Sequence, residues 1–95
     1  MLDIALMQSV ATQLMEAGQV VVAGKSWPVK RTSSQRLRTV KFEMNGQEYQ
    51  AIEQNPDKPS RWGQLAREGH RVVQFRDLLS GKYVAVAVDG TVRPY

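Results

Sequence analysis

The stretch RLRTVKFEMNGQEYQAIEQ, residues 36–54, decides the fold. Asn45-Gly46 at its centre is a strong short-range hairpin signal. A two-residue type I′ turn needs positive φ at both central positions, and Asn and Gly tolerate it best. A turn of that length fixes the register. Met44 faces Gln47, Phe42 faces Tyr49 and Val40 faces Ala51, and these pairs share one apolar face. Lys41 opposite Gln50 and Glu43 opposite Glu48 share the other, polar face. Turn chemistry and period-two alternation agree, so residues 36–44 and 47–54 are expected to form an antiparallel hairpin with one buried side.

Upstream, the period changes. Over residues 3–17, Ile4, Leu6, Met7, Val10, Ala11, Leu14 and Met15 fall on one half of a 100° wheel. Gln8, Ser9, Thr12, Gln13 and Glu16 fall on the other, which predicts an amphipathic helix. Asp3 suits its start and Gly18 a left-handed stop. Its apolar half is wide enough to pack on a sheet. Residues 20–22 read as a short β-branched strand. Residues 27–32 read as another, which Pro28 confines to an edge or a strand start. Thr32-Ser33-Ser34-Gln35 reads as a loop.

Downstream, Asn55-Pro56-Asp57-Lys58-Pro59 breaks the strand pattern. Residues 60–68 predict a short helix capped by Ser60, buried along Trp62, Leu65 and Ala66, and ended by Gly69. Strands follow at 71–76, 82–88 and 91–94, with Asp89-Gly90 a second type I′ signal. The order α-β-β-β-β-α-β-β-β predicts a single α+β domain over residues 1–95. An N-terminal amphipathic helix and a short second helix would pack on an antiparallel sheet or partly open barrel built from hairpins. The expected single core joins Val40, Phe42, Tyr49, Phe75, Trp62, either Val84 or Tyr83, and the Leu6–Val10–Leu14 stripe.

The net charge of +4 hides an uneven layout. Residues 25–42 hold Lys25, Lys30, Arg31, Arg36, Arg38 and Lys41 with no acid. Residues 43–57 hold Glu43, Glu48, Glu53 and Asp57 with no cation. A basic block beside an acidic hairpin reads either as a binding surface or as a salt-bridged sheet surface whose cations pair across strands.

Several chemistries are disfavoured. The chain has no cysteine, which removes disulfides, thiol nucleophiles and zinc ribbons. Its acids do not share a face in a metal-ligand pattern, so no metal and no cofactor are expected. Gly24-Lys25-Ser26 resembles the tail of a phosphate-binding loop. However, the position that requires glycine is Gln19, the intervening residues are stiff and apolar, and Trp27-Pro28 follows where a helix should begin. His70 is the only histidine. A catalytic arrangement with Asp77 and Ser80 is what chance supplies in a loop, and a position beyond a helix C-terminus gives His70 a structural reading. No enzyme activity is expected. No run of residues is long and apolar enough to span a membrane, and the start lacks a basic signal region, so a cytoplasmic protein is the expectation.

These observations point to a small non-enzymatic binding module whose basic surface meets an anionic partner such as nucleic acid. The candidate contacts are Lys25, Lys30, Arg31, Arg36, Arg38 and Lys41 for phosphates, with Trp27 as an exposed stacking ring among them. The alternative is a protein–protein interaction or self-association module using a sheet edge or the acidic hairpin. The edges expected to be available are 27–32 and 91–94, each marked by proline.

Overall fold

A computed structural model describes residues 3–95. Helix α1 spans Ile4–Glu16, opened by Asp3, whose carboxylate accepts from the Leu6 N–H at 3.1 Å. Met7, Val10, Ala11 and Leu14 are its buried positions, the i, i+3, i+4, i+7 spacing of a single stripe. Leu6, expected at the centre of that stripe, lies at its margin and is half-buried. The helix ends at Ala17 in an extended conformation, with no left-handed residue at Gly18. The chain therefore passes straight into strand β1, Gln19–Val22.

β1 pairs antiparallel with β2, Lys25–Pro28, in a two-stranded ribbon. Ala23 and Gly24 both hold positive φ between them, so the apparent phosphate loop is a hairpin turn. The strand expected over 27–32 divides at Val29. Pro28 ends the ribbon opposite Gln19, the Val29 N–H donates to the Gly18 carbonyl at 3.1 Å, and β3, Lys30–Arg31, joins a different sheet.

That sheet continues through β4 (Arg38–Met44), β5 (Gln47–Glu53), β6 (Val72–Asp77), β7 (Tyr83–Val88) and β8 (Thr91–Pro94), in chain order and antiparallel throughout. The architecture is α+β, as the sequence predicts. The Asn45-Gly46 turn has the expected positive φ values, and β4–β5 pair in the expected register. Helix α2, Arg61–Arg67, links β5 to β6. The Ser60 hydroxyl accepts from the Gly63 N–H at its start, and Gly69 holds positive φ just beyond its end.

The main core lies between one sheet face and α1 with the β1–β2 ribbon. Val40, Phe42, Met44, Tyr49, Ala51, Val73, Phe75, Ala85, Ala87 and Val92 meet the α1 stripe there. Phe75 stands edge-on to Phe42, their centroids 6.4 Å apart. Val72 and Val86 are also buried but belong to the opposite face, on which α2 packs against β6. Trp62 belongs with that second layer and is not part of the main core, a correction to the single core expected from sequence. A sheet with a helix on each face buries both sides of its central strands.

One local irregularity matters later. Phe75 pairs with Ala85 but Arg76 pairs with Tyr83, so Val84 is skipped. Such a bulge re-aims the side chains beyond it. Without it, alternation would turn Tyr83 toward the face of Ala85. With it, Tyr83 stands across from Arg76 on the α2 side of the sheet.

Candidate functional site

The seven residues singled out from the sequence do not form one patch. Arg38 alternates with Val40 and Phe42, so it lies on the α1 side. There its Nη1 donates to Glu53 Oε2 at 3.4 Å and approaches the Met15 sulfur at 3.6 Å. Arg38 is thus committed to closing the core margin. Arg36 holds φ 59° in the 32–37 loop, where the Thr32 hydroxyl accepts from the Leu37 N–H and the Arg36 carbonyl accepts from Arg31 Nη1 at 2.9 Å. Arg31 therefore stiffens the loop that carries Arg36.

Lys25, Trp27, Lys30 and Lys41 do come together. The β3–β4 pairing covers only Arg38 and Thr39, so β4 runs from Val40 to Met44 beyond its last β3 partner. The β1–β2 ribbon leans against this open edge. Between them lies a groove of about 370 Å³ lined by Trp27, Pro28, Lys30, Thr39, Val40, Lys41 and Gln50. Trp27 is half-buried against the core margin, where an exposed ring was expected. Its Nε1 is buried without a hydrogen-bond acceptor, and Lys25 Nζ stands 4.7 Å over its ring. A buried donor without a partner costs roughly 1–3 kcal/mol, so the packing of Trp27 against the core margin carries a polar penalty.

The ion pairs bear unequally on the two readings of the basic block. Among the described residues the salt bridges are Arg38–Glu53, Arg71–Glu16 and His70–Asp89. Lys25, Lys30, Arg31, Arg36 and Lys41 enter none of them. Glu43 and Glu48 face each other at the hairpin end and neutralise no cation of the block. The sheet surface is not the interleaved salt-bridge lattice that would cancel its charge.

Sequence reasoning missed a second cluster. Tyr83 and Tyr95 stack with centroids 5.3 Å apart, Trp62 lies 6.3 Å beyond Tyr95, and the Arg61 guanidinium sits 4.9 Å over Trp62. Arg76 lies across from Tyr83, and Arg93 lies two residues before Tyr95 on the same side of its strand. The alternation of 91–95 could have separated Val92 from Arg93 and Tyr95. The bulge that brings Tyr83 to them carries no sequence signal.

His70 does not meet Asp77 and Ser80. It precedes β6, while they lie at the other end of that strand. There Asp77 Oδ1 accepts the N–H groups of Leu79 and Ser80, and the Ser80 hydroxyl accepts from the Lys82 N–H. His70 Nδ1 instead stands 2.8 Å from Asp89 Oδ2. An ionised carboxylate only accepts, so the proton of that bond belongs to Nδ1. The Arg71 N–H also donates to Asp89, and it and His70, in that order, hold the Asp89 carboxyl below its ordinary value of 3.8. A lowered carboxylate pKa adds stability that is present above the ordinary value and lost as pH falls through the folded one. Asp89→Asn is therefore expected to lower stability at neutral pH. Urea midpoints of variant and parent should converge below the carboxylate range. A constant gap across that range would show that Asp89 acts through packing instead of charge.

Among the described residues, no group of three or more His, Asp or Glu side chains is placed to hold a metal ion. No helix among the described residues is long and apolar enough to cross a membrane. Comparison of the chain with protein-family models, with curated proteins and with solved structures finds no match to any of them.

Proposed function

We propose that this chain is a small non-enzymatic binding module whose basic edge engages a polyanion, with nucleic acid as the partner class. One observation carries the reading. Lys30 and Lys41 line the groove at the open edge of β4 with their charges unanswered by any ion pair among the described residues. Trp27 lines the same groove, with Lys25 Nζ 4.7 Å over its ring. Arg31 and Arg36 extend the positive surface along the adjoining loop. Arg38 is outside it.

Affinity for mixed-sequence DNA or RNA is expected to fall linearly on a log–log salt plot. Each phosphate contact contributes a slope of about −0.7 for single strands and about −0.9 for duplex DNA. Lys30→Gln and Lys41→Gln should each flatten the plot by roughly one such step. Arg38→Gln should leave the slope unchanged while lowering stability. Fluorescence anisotropy over a salt series measures all three. Absence of binding to any oligonucleotide at low salt would remove this reading.

The second reading, a protein-interaction or self-association module, has its own support. β8 ends the sheet with its outer side unpaired, and such a strand can accept another. A dimer formed that way would double the molar mass with no polyanion present.

A further inference from the structure

On the sheet face opposite α1, one transverse row crosses four strands: Lys41, Gln50, Arg76 and Tyr83, each paired with the next. At a strand spacing of about 4.8 Å the row is roughly 15 Å long. It begins at the Trp27–Lys30–Lys41 groove and ends at the Tyr83–Tyr95–Trp62 cluster. Tyr83 and Tyr95 remain 39% and 53% exposed, so ring surface is left over after they stack on each other. Arg61, Arg76 and Arg93 are exposed and form no ion pair among the described residues. The acids nearest the row along β4 and β5 are Glu43 and Glu48, which sit together toward the hairpin turn and mark where the track stops on that side.

Arg61 already covers one face of Trp62, and Arg76 Nε donates to the Gly81 carbonyl at 3.0 Å. The ring surface left exposed on Tyr83 and Tyr95, beside guanidinium groups that enter no ion pair among the described residues, suits one kind of ligand. Unpaired bases need π surfaces and their backbone needs cations. A duplex hides its base faces and has no use for the rings. We infer that the Tyr83–Tyr95–Trp62 cluster is a stacking site for bases of single-stranded nucleic acid, with Arg76 and Arg93 meeting the backbone that reaches it from the Lys41 groove. The inference rests on the polyanion reading and narrows it to single strands. The bulge at Phe75/Arg76 is the device that makes the site, because it moves Tyr83 to the face on which Arg76 stands.

The test uses three fluorescein-labelled probes of equal length: oligo(dT), the same backbone with abasic positions, and a duplex. Anisotropy titrations at one fixed low salt concentration compare the parent with Tyr83→Ala and Tyr83→Phe. One base–aromatic stack is worth roughly 1–3 kcal/mol, so oligo(dT) should bind about tenfold or more tighter than the abasic strand. Tyr83→Ala should erase most of that ratio while leaving affinity for the abasic probe and its salt slope unchanged. Tyr83→Phe, which keeps the ring, should restore it. Tyr83 lies at the surface, and thermal melts of both variants check that the fold persists. Equal binding of all three probes by the parent, or a ratio untouched by Tyr83→Ala, overturns the stacking site and leaves the basic groove standing. Failure of every probe to bind overturns both.

Discussion

Leu14→Ala is expected to lower unfolding free energy by about 2–5 kcal/mol, the range for buried leucines truncated in a core that cannot close over the gap. Leu14 is fully buried, in the last turn of α1, within the cluster that includes Val20, Phe42 and Phe75. Domains of this size have about 5–15 kcal/mol in total, so this one side chain commands a large share. Leu79→Ala is the matched control. Leu79 is 90% exposed, and its truncation should stay within about 0.5 kcal/mol. Urea melts of the two variants give the comparison directly. A loss below about 1 kcal/mol for Leu14→Ala would mean that α1 does not dock on the sheet as described.

Gly63→Ala is expected to destabilise, against the ordinary rule. Inside a helix, alanine is better than glycine by roughly 1 kcal/mol. At Gly63 an added Cβ would collide with the Lys58 carbonyl oxygen. That oxygen cannot easily yield, because it accepts from the Ser60 N–H at 2.9 Å and from Arg67 Nη1 at 2.9 Å. The loop before α2 is thus laced onto the helix by backbone and guanidinium together. Relieving the collision means moving backbone, so a loss of about 1–3 kcal/mol is expected, as for overpacking elsewhere. Denaturant midpoints decide the sign. A gain in stability would show that residues 56–60 do not lie against α2.

How much could be read from sequence differs along the chain for physical reasons. The β4–β5 hairpin was legible because two independent constraints, the Asn45-Gly46 turn and strict alternation, demand the same register. The α1 stripe was legible for the same reason, with Asp3 as cap. The alternation of β4 also placed Arg38 beside Val40 and Phe42. A count of cations over residues 25–42 does not carry that distinction, and it puts Arg38 among the surface charges. The half-burial of Trp27 is not legible locally, because the packing of a two-stranded ribbon across a sheet edge is a tertiary fact with no local signature. The split at Val29 was half legible: Pro28 announces a lost donor, but not that the chain changes sheets there. The bulge at Val84, opposite Phe75 and Arg76, was invisible, and with it the second cluster. Nothing in Lys82–Val88 distinguishes a strand that skips a residue from one that does not.

The sheet is laid down in chain order from β3 to β8, so each strand's neighbours in space are its neighbours in time of synthesis. Only the β5–β6 connection is long, and α2 fills it. Successive hairpins can therefore zip without closing large loops, which favours rapid collapse of the sheet. The helix at the start of the chain is the exception. α1 touches β1 next to it, yet also β7 and β8 at the far end. Its docking is the one step that must gather the whole chain. That clasp cannot shut until β8 has left the ribosome, so the earliest made of the described elements is the last to find its complete seat.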